Sequence, residues 1–135
     1  MLRYVLVSLA GGILFGAMDG VINANPLAQR LFQVYQPIAR TSVNAPAGIA
    51  IDLVYGLVMA GVFLLLYPSL PGASGWTKGL SFGVLAWFFR VLMNTASDWM
   101  MFKVPAGTLL YGLGTGLLEM LVIGILFGLT LRPAK

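Results

Sequence analysis

An arginine lies in the middle of a long apolar stretch of this chain. Arg90 sits within Gly79–Met101, which at about 23 residues is long enough for a helix to cross a bilayer. A charged side chain at the bilayer centre costs roughly 2.5–3.5 kcal/mol on insertion scales, so it faces a partner or a water-filled cavity. Asn94 and Asp98 follow at steps of four and so share its helix face. This stretch therefore predicts a polar interior in a membrane protein.

The acidic residues supply candidate partners for the arginine. All 4 of them fall within or at the edge of a predicted apolar span. At ~1.5 Å of rise per helical residue, Glu119 lies near the midplane with Arg90, and the aspartates lie nearer the outer surface. Asn23 follows Asp19 by four residues and shares its helix face. The predicted intramembrane polar cluster comprises Arg90, Glu119, Asp52, Asp19, Asn94, Asn23 and Asp98.

Such a cluster is compatible with three kinds of function. The principal hypothesis is a small non-enzymatic accessory or structural subunit, because an ion pair at Arg90 can fix how neighbouring helices are arranged. The alternative is a small proton- or cation-linked transporter or channel that works as an oligomer, because intramembrane ionisable groups commonly mark such paths. The third is a membrane enzyme acting on a lipid or an isoprenoid, with a carboxylate pair as acid and base.

The distribution of charge separates these hypotheses in part. From Glu119 toward the inner face, the next ionisable residue is Arg132, which suits a cavity open to one side better than a through-channel. Arg90 could also bind an anionic lipid head or a quinone carbonyl, and the sequence does not select between them. The chain has no nucleophile elbow, metal-ligand spacing or phosphate loop, so we assign no catalytic residue.

The composition is typical of polytopic membrane proteins. Of 135 residues, 59% are hydrophobic and 9% are charged, against about 25% charged in soluble domains. The absence of Cys and His excludes the common thiolate and imidazole metal sites and a His-ligated haem, so we expect no metal and no cofactor. The 8 basic residues give a net charge of +4. They are scattered singly, mostly at the ends of apolar runs, so nucleic acid is not an expected partner.

The apolar runs predict an all-α fold, a transmembrane four-helix bundle that forms one integral membrane domain over residues 1–135. After the first run, Leu27, Leu31 and Val34 follow a helical period and predict a short amphipathic helix in the membrane interface. Pro37 would kink or end this helix. The predicted spans are approximately 4–24, 47–67, 79–101 and 106–131.

Two of the predicted spans carry glycines at helical spacing. Small residues that recur every four positions form a ridge on which another helix can pack closely. We therefore expect these ridges to contact neighbouring spans. The ridges are Gly12, Gly16 and Gly20 on the first span, and Gly112, Gly116, Gly124 and Gly128 on the fourth.

An even number of spans places both termini on the same side of the membrane. Cytoplasmic loops carry an excess of Lys and Arg, and the side of the termini has the larger number of them. The sequence therefore predicts that both termini are cytoplasmic. The basic residues outside the predicted spans or at their ends are Arg3, Lys78, Arg132 and Lys135 on that side and Arg30, Arg40 and Lys103 on the other.

Several short stretches carry a likeness to a known group of proteins. They are Leu14-Phe-Gly-Ala-Met-Asp19, Asn25-Pro26-Leu27, Gly79-Leu-Ser-Phe-Gly83 with Trp87, and Pro105 with the glycine-rich helix that ends at Gly128. In these stretches the chain resembles small four-helix bacterial integral membrane proteins of unknown function. The resemblance implies four spans and a bacterial cell (inner) membrane location, and it implies no activity and no site residues. We expect the lipid bilayer as the surroundings, and a homo-oligomer or a larger membrane complex as the assembly.

Overall fold

The computed structural model describes residues 1–133, and it confirms the predicted all-α four-helix bundle. Residues 1–133 contain no strand. Four helices are long and apolar enough to cross a membrane, so the chain is a multi-pass helical membrane protein. They are span 1 (Leu2–Ala24), span 2 (Ala45–Leu66), span 3 (Gly75–Met101) and span 4 (Ala106–Thr130).

Side chains cap the beginning of the helix in the first connection and the beginnings of spans 2 and 3. The Asn25 side chain accepts a hydrogen bond from the Ala28 N–H at 2.9 Å, and the Asn44 side chain accepts one from the Ala47 N–H at 3.1 Å. Span 3 begins with a capping box at Ser74. These bonds satisfy N–H groups that have no partner inside the helix, which matters most in a membrane. Local sequence therefore fixes where spans 2 and 3 begin.

Glycines bring the spans together in two tight pairs. A Cβ atom at Gly12 of span 1 would lie 2.6 Å from the Asp52 carbonyl oxygen of span 2. A Cβ at Gly83 of span 3 would lie 2.6 Å from the Met120 carbonyl oxygen of span 4. Real Cβ atoms do not approach other atoms this closely, so these crossings require glycine. Span 1 thus packs tightly on span 2, and span 3 on span 4.

Only some of the glycines in the predicted ridges pack against another span. Gly116 packs against the Val91 side chain, and Gly124 packs against the backbone of span 3. In contrast, a Cβ at Gly20 or Gly112 would have no neighbouring atom within 4 Å. Sequence periodicity places all of these glycines on one face, but the crossing of the helices decides which of them meet a partner.

Three phenylalanines join the two pairs on the side of the membrane where the termini lie. The Phe63 ring of span 2 lies 5.3 Å from the Phe82 ring of span 3 and 6.0 Å from the Phe127 ring of span 4, measured between centroids. All three side chains are buried. Tilted and edge-to-face contacts of this kind stabilise a core beyond the burial of area alone. The apolar core of the molecule therefore lies in the half of the bundle nearer the termini.

The connection between spans 1 and 2 is helical but is not one α-helix. It consists of an α-helix at Pro26–Leu31 and a 3₁₀ helix at Phe32–Ile38. The change of geometry precedes Pro37, which cannot continue an α-helix because it lacks an N–H group. The Thr108 hydroxyl of span 4 donates a hydrogen bond to the Leu31 carbonyl at 2.6 Å. This connecting segment, residues 26–38, is thereby held against span 4 on the side opposite the termini.

Candidate functional site

Arg90 contacts one residue on each of the other three spans. Its Nη1 atom lies 3.6 Å from Oε2 of Glu119 on span 4. The guanidinium carbon lies 4.5 Å from the ring centroid of Phe15 on span 1 and 4.9 Å from that of Tyr55 on span 2. Both distances fall within the ~6 Å range of cation–π attraction. Arg90 therefore links all four spans near their middle.

A change in helix geometry accompanies Arg90. Span 3 is α-helical at Gly75–Trp87 and Met93–Met101, with a π-helical turn at Phe88–Leu92 between them. Such a turn holds one more residue than an α-turn and is frequent at functional sites. Val91, the residue next to Arg90, packs against Gly116 of span 4. At the π turn, Val91 therefore contacts span 4, while its neighbour Arg90 contacts spans 1, 2 and 4.

The two members of the ion pair, Arg90 and Glu119, differ in how far they are buried. The Glu119 side chain is 5% exposed, whereas the Arg90 side chain is 39% exposed. Their separation of 3.6 Å exceeds the ~3.2 Å upper limit of an ordinary N–H···O hydrogen bond. The other carboxylate oxygen of Glu119, Oε1, is buried without a hydrogen-bond partner among residues 1–133. The two groups therefore attract as charges but do not saturate each other's hydrogen bonds.

Asp52 and Asp19 lie around this pair without contacting the guanidinium. Both carboxylates repel the Glu119 carboxylate electrostatically, and Asp52 is also attracted by the charge of Arg90. Among residues 1–133, Glu119 is the acidic residue whose carboxylate oxygen lies within 4.0 Å of an Arg90 side-chain nitrogen. The Asp19 carboxylate accepts a hydrogen bond from the Asn23 amide at 3.0 Å. One carboxylate thus contacts the guanidinium and two more lie within electrostatic range of Glu119, so the local charge is negative when all three are ionised.

Asn94 and Asp98 form a separate polar pair beyond the π turn. The Asn94 amide donates to the Asp98 carboxylate at 3.4 Å on an exposed face of span 3. Both residues line a cavity of about 200 Å³ beneath the connecting segment, together with Tyr35. Burial, with a further contribution from Asp98, raises the pKa of Tyr35 above its ordinary value, so the phenol remains neutral at physiological pH. The structure therefore divides the predicted cluster into two sites.

A larger cavity opens beside Arg90 between spans 2 and 3, and we call it the lateral cavity. Its volume is about 430 Å³. Phe89 and Leu85 in its wall are 68% and 38% exposed, so the cavity opens sideways toward the lipid. Arg90 is the charged group of this wall. The lining residues are Tyr55, Met59, Val62 and Leu66 of span 2 and Phe82, Leu85, Ala86, Phe89 and Arg90 of span 3.

Phe15 and Tyr55 are the site residues that the sequence argument missed. The depths of charged and polar side chains, taken alone, predict only acidic partners for Arg90. Both aromatic residues lie near the middle of their spans, at the depth of Arg90. Including aromatic faces among the groups that can receive a cation would have identified them as candidates.

Comparisons with protein families, with curated proteins and with solved structures give no match to this chain. Residues 1–133 contain no cluster of three or more acidic side chains placed to hold a metal ion. The chemical capacity of the site therefore follows from Arg90, its three contacts and the lateral cavity. These groups can bind and position, and they offer hydrogen-bond donors at the middle of a membrane.

Proposed function

We propose that this chain is a small non-enzymatic integral membrane protein that acts as an accessory or structural subunit. The observation that carries this proposal is that Arg90 contacts Phe15, Tyr55 and Glu119, one residue on each of the other spans. We also propose a bacterial cell (inner) membrane location with both termini in the cytoplasm, from the resemblance and from the distribution of basic residues.

A structural role explains why the charged side chain of Arg90 is contacted by groups of the protein itself. A guanidinium is costly in a bilayer unless partners receive it, and here the partners come from the protein itself. Removing Arg90 would therefore affect the mutual arrangement of all four spans. An ion pair of this kind adds little net stability compared with apolar packing, but it can select one arrangement of helices. A subunit that must present one fixed surface to a larger complex benefits from that selection.

Purification from the native membrane in mild detergent, followed by mass spectrometry, tests this proposal. The wild-type chain should co-purify with at least one larger membrane protein, and Arg90→Leu should lose that partner. Lys103→Leu is the matched control and should keep it, because Lys103 is exposed outside the span. Lys78 is less suitable, since its amine donates to the Tyr67 carbonyl at 2.7 Å. A wild-type chain that purifies alone would contradict the proposal.

A second candidate function is proton- or cation-linked transport by an oligomer. The observation in its favour is that Asp19 and Asp52 lie within electrostatic range of Glu119, which gives this region more carboxylates than guanidinium groups. Reconstituted in liposomes, the protein would then conduct protons or a small cation, and Glu119→Gln would abolish the flux. Asp98→Asn, which changes the separate outer site, would keep it. The absence of flux from the wild-type protein would remove this candidate.

A further inference from the structure

The lateral cavity has the composition of a small-molecule site. Its volume of about 430 Å³ falls within the ~300–1,000 Å³ that is usual for ligand pockets, which are mostly apolar with a few placed polar groups. Arg90 is that polar group, and its side chain is 39% exposed. The cavity begins at the depth of Arg90 and extends along span 2 to Leu66, toward the side of the termini.

Arg90 has hydrogen-bonding capacity that the protein leaves unused. A guanidinium carries five N–H donors, and none can be removed by deprotonation. The contact with Glu119 is too long for a good hydrogen bond, and the contacts with Phe15 and Tyr55 are made through ring faces. Donors without acceptors are costly where no water is present. A ligand with an oxygen acceptor at this end of the cavity would satisfy them.

The surrounding charges favour a neutral acceptor over an anionic one. Glu119 already balances the charge of Arg90, and Asp52 and Asp19 add negative charge nearby. A carboxylate or phosphate head group would meet electrostatic repulsion at this depth, where a low dielectric strengthens it. A carbonyl oxygen accepts the same hydrogen bonds without carrying a charge.

The walls of the lateral cavity favour a flat ring with a hydrocarbon tail. Tyr55, Phe82 and Phe89 line it, and aromatic side chains pack well against planar rings. Met59 and Val62 continue the apolar wall along which a tail can lie before it leaves sideways into the bilayer. We propose that the lateral cavity binds a neutral, lipid-soluble compound of the isoprenoid quinone class, with a ring carbonyl accepting from Arg90. This inference goes beyond the proposed subunit role, because binding does not require a partner protein.

Binding of decylubiquinone to the full chain in lipid nanodiscs tests the inference, with quenching of tryptophan fluorescence as the readout. We expect saturable quenching by the wild-type protein. Ala86→Leu fills the cavity and should weaken binding about tenfold or more. Ala10→Leu, the matched control on an exposed face of span 1 outside the cavity, should change it less than about twofold. Arg90→Leu should weaken binding as Ala86→Leu does.

Two competitors distinguish the chemistry of the ligand. Palmitate offers a hydrocarbon chain with an anionic head, and a diacylglycerol offers neutral ester carbonyls without a ring. We expect neither to displace decylubiquinone. If palmitate displaced decylubiquinone from the wild-type protein but not from Ala86→Leu, the proposal that the ligand is neutral would be wrong. If the diacylglycerol did so, the proposal that the ligand carries a ring would be wrong. Quenching that is equal in the wild-type protein and in Ala86→Leu would show partition into the bilayer and would overturn the site.

Discussion

Removing Glu119 and removing Arg90 should have unequal effects on the stability of the protein. A buried carboxylate that loses its partner can become neutral by taking up a proton, whereas a guanidinium cannot lose one. Glu119 is almost fully buried, so its own desolvation is relieved by protonation. Arg90 would remain charged at mid-depth, in contact with the Phe15 and Tyr55 rings but with no carboxylate of residues 1–133 within salt-bridge distance. Removing the acid should therefore do more harm than removing the base.

We predict that Glu119→Leu lowers the stability of the detergent-solubilised protein more than Arg90→Leu does. The loss should be on the order of 2 kcal/mol, between the small value of a typical polar contact in membranes and the larger cost of breaking a buried pair. The double variant should be more stable than Glu119→Leu alone, because it leaves no charge unpaired. Thermal unfolding of the three variants measures this order. Equal, additive losses would show that the two charges do not interact.

At this scale the sequence predicts acidic partners for Arg90, with Glu119, Asp19 and Asp52 as the alternatives, but not which of them forms the ion pair or what else contacts it. Depth along each helix places Arg90 and Glu119 at the same level, because the rise per residue is nearly constant. Depth does not give the rotation of each helix about its axis. Rotation decides that Phe15 and Tyr55 contact the guanidinium, while Asp52 stays outside salt-bridge distance.

At the scale of the helix, hydrophobic length sets the spans and packing sets their details. The predicted spans differ from the structural ones by at most a few residues at each end, since long apolar runs are a strong signal. The π turn at Phe88–Leu92 has no such signal. It accompanies the contact between Val91 and Gly116, which are distant in sequence, so periodicity within span 3 alone could not predict it.

We predict that Gly124→Ala destabilises the protein and that Gly112→Ala does not. A Cβ at Gly124 would lie 3.0 Å from the Gly83 nitrogen and closer still to the Gly79 carbonyl, whereas a Cβ at Gly112 meets nothing within 4 Å. Separating spans 3 and 4 should cost about 1–3 kcal/mol, as overpacking does elsewhere. Gly112→Ala should be neutral or stabilising by up to about 1 kcal/mol, because alanine favours the helix.

Thermal unfolding of these two variants in the same detergent compares them directly. They add the same methyl group to the same helix, so intrinsic propensity cancels between them. If both alanines raised the unfolding temperature, spans 3 and 4 would not cross at their glycines.

At the scale of the whole molecule, two helix pairs are joined by a buried aromatic core and by Arg90. Spans 1 and 2 form one tight pair, and spans 3 and 4 form the other. The Phe63, Phe82 and Phe127 cluster joins the pairs near the termini, and Arg90 joins them at mid-depth. The lateral cavity lies along the boundary between the two pairs, beside both junctions.

The lack of native cysteine allows a direct test of the proposed orientation. Val43 precedes span 2 and Ala73 lies in the turn between spans 2 and 3, and both are exposed. In intact cells, a membrane-impermeant maleimide should label Val43→Cys. Ala73→Cys should react only after the cells are permeabilised, because the proposal places it with the termini in the cytoplasm. The opposite pattern would reverse the orientation and leave the fold unchanged.

The π turn also fixes the angle between the two polar sites. Each residue of an α-helix advances by about 100° around its axis. A chain with one residue fewer between Phe88 and Leu92 would still cross the bilayer, but the residues of span 3 after the deletion would be rotated about the helix axis by about that angle. Asp98 would then leave the cavity it shares with Tyr35, while the glycine contacts before the turn stayed in place. A single added residue therefore allows the second half of span 3 to face the connecting segment as well as span 4.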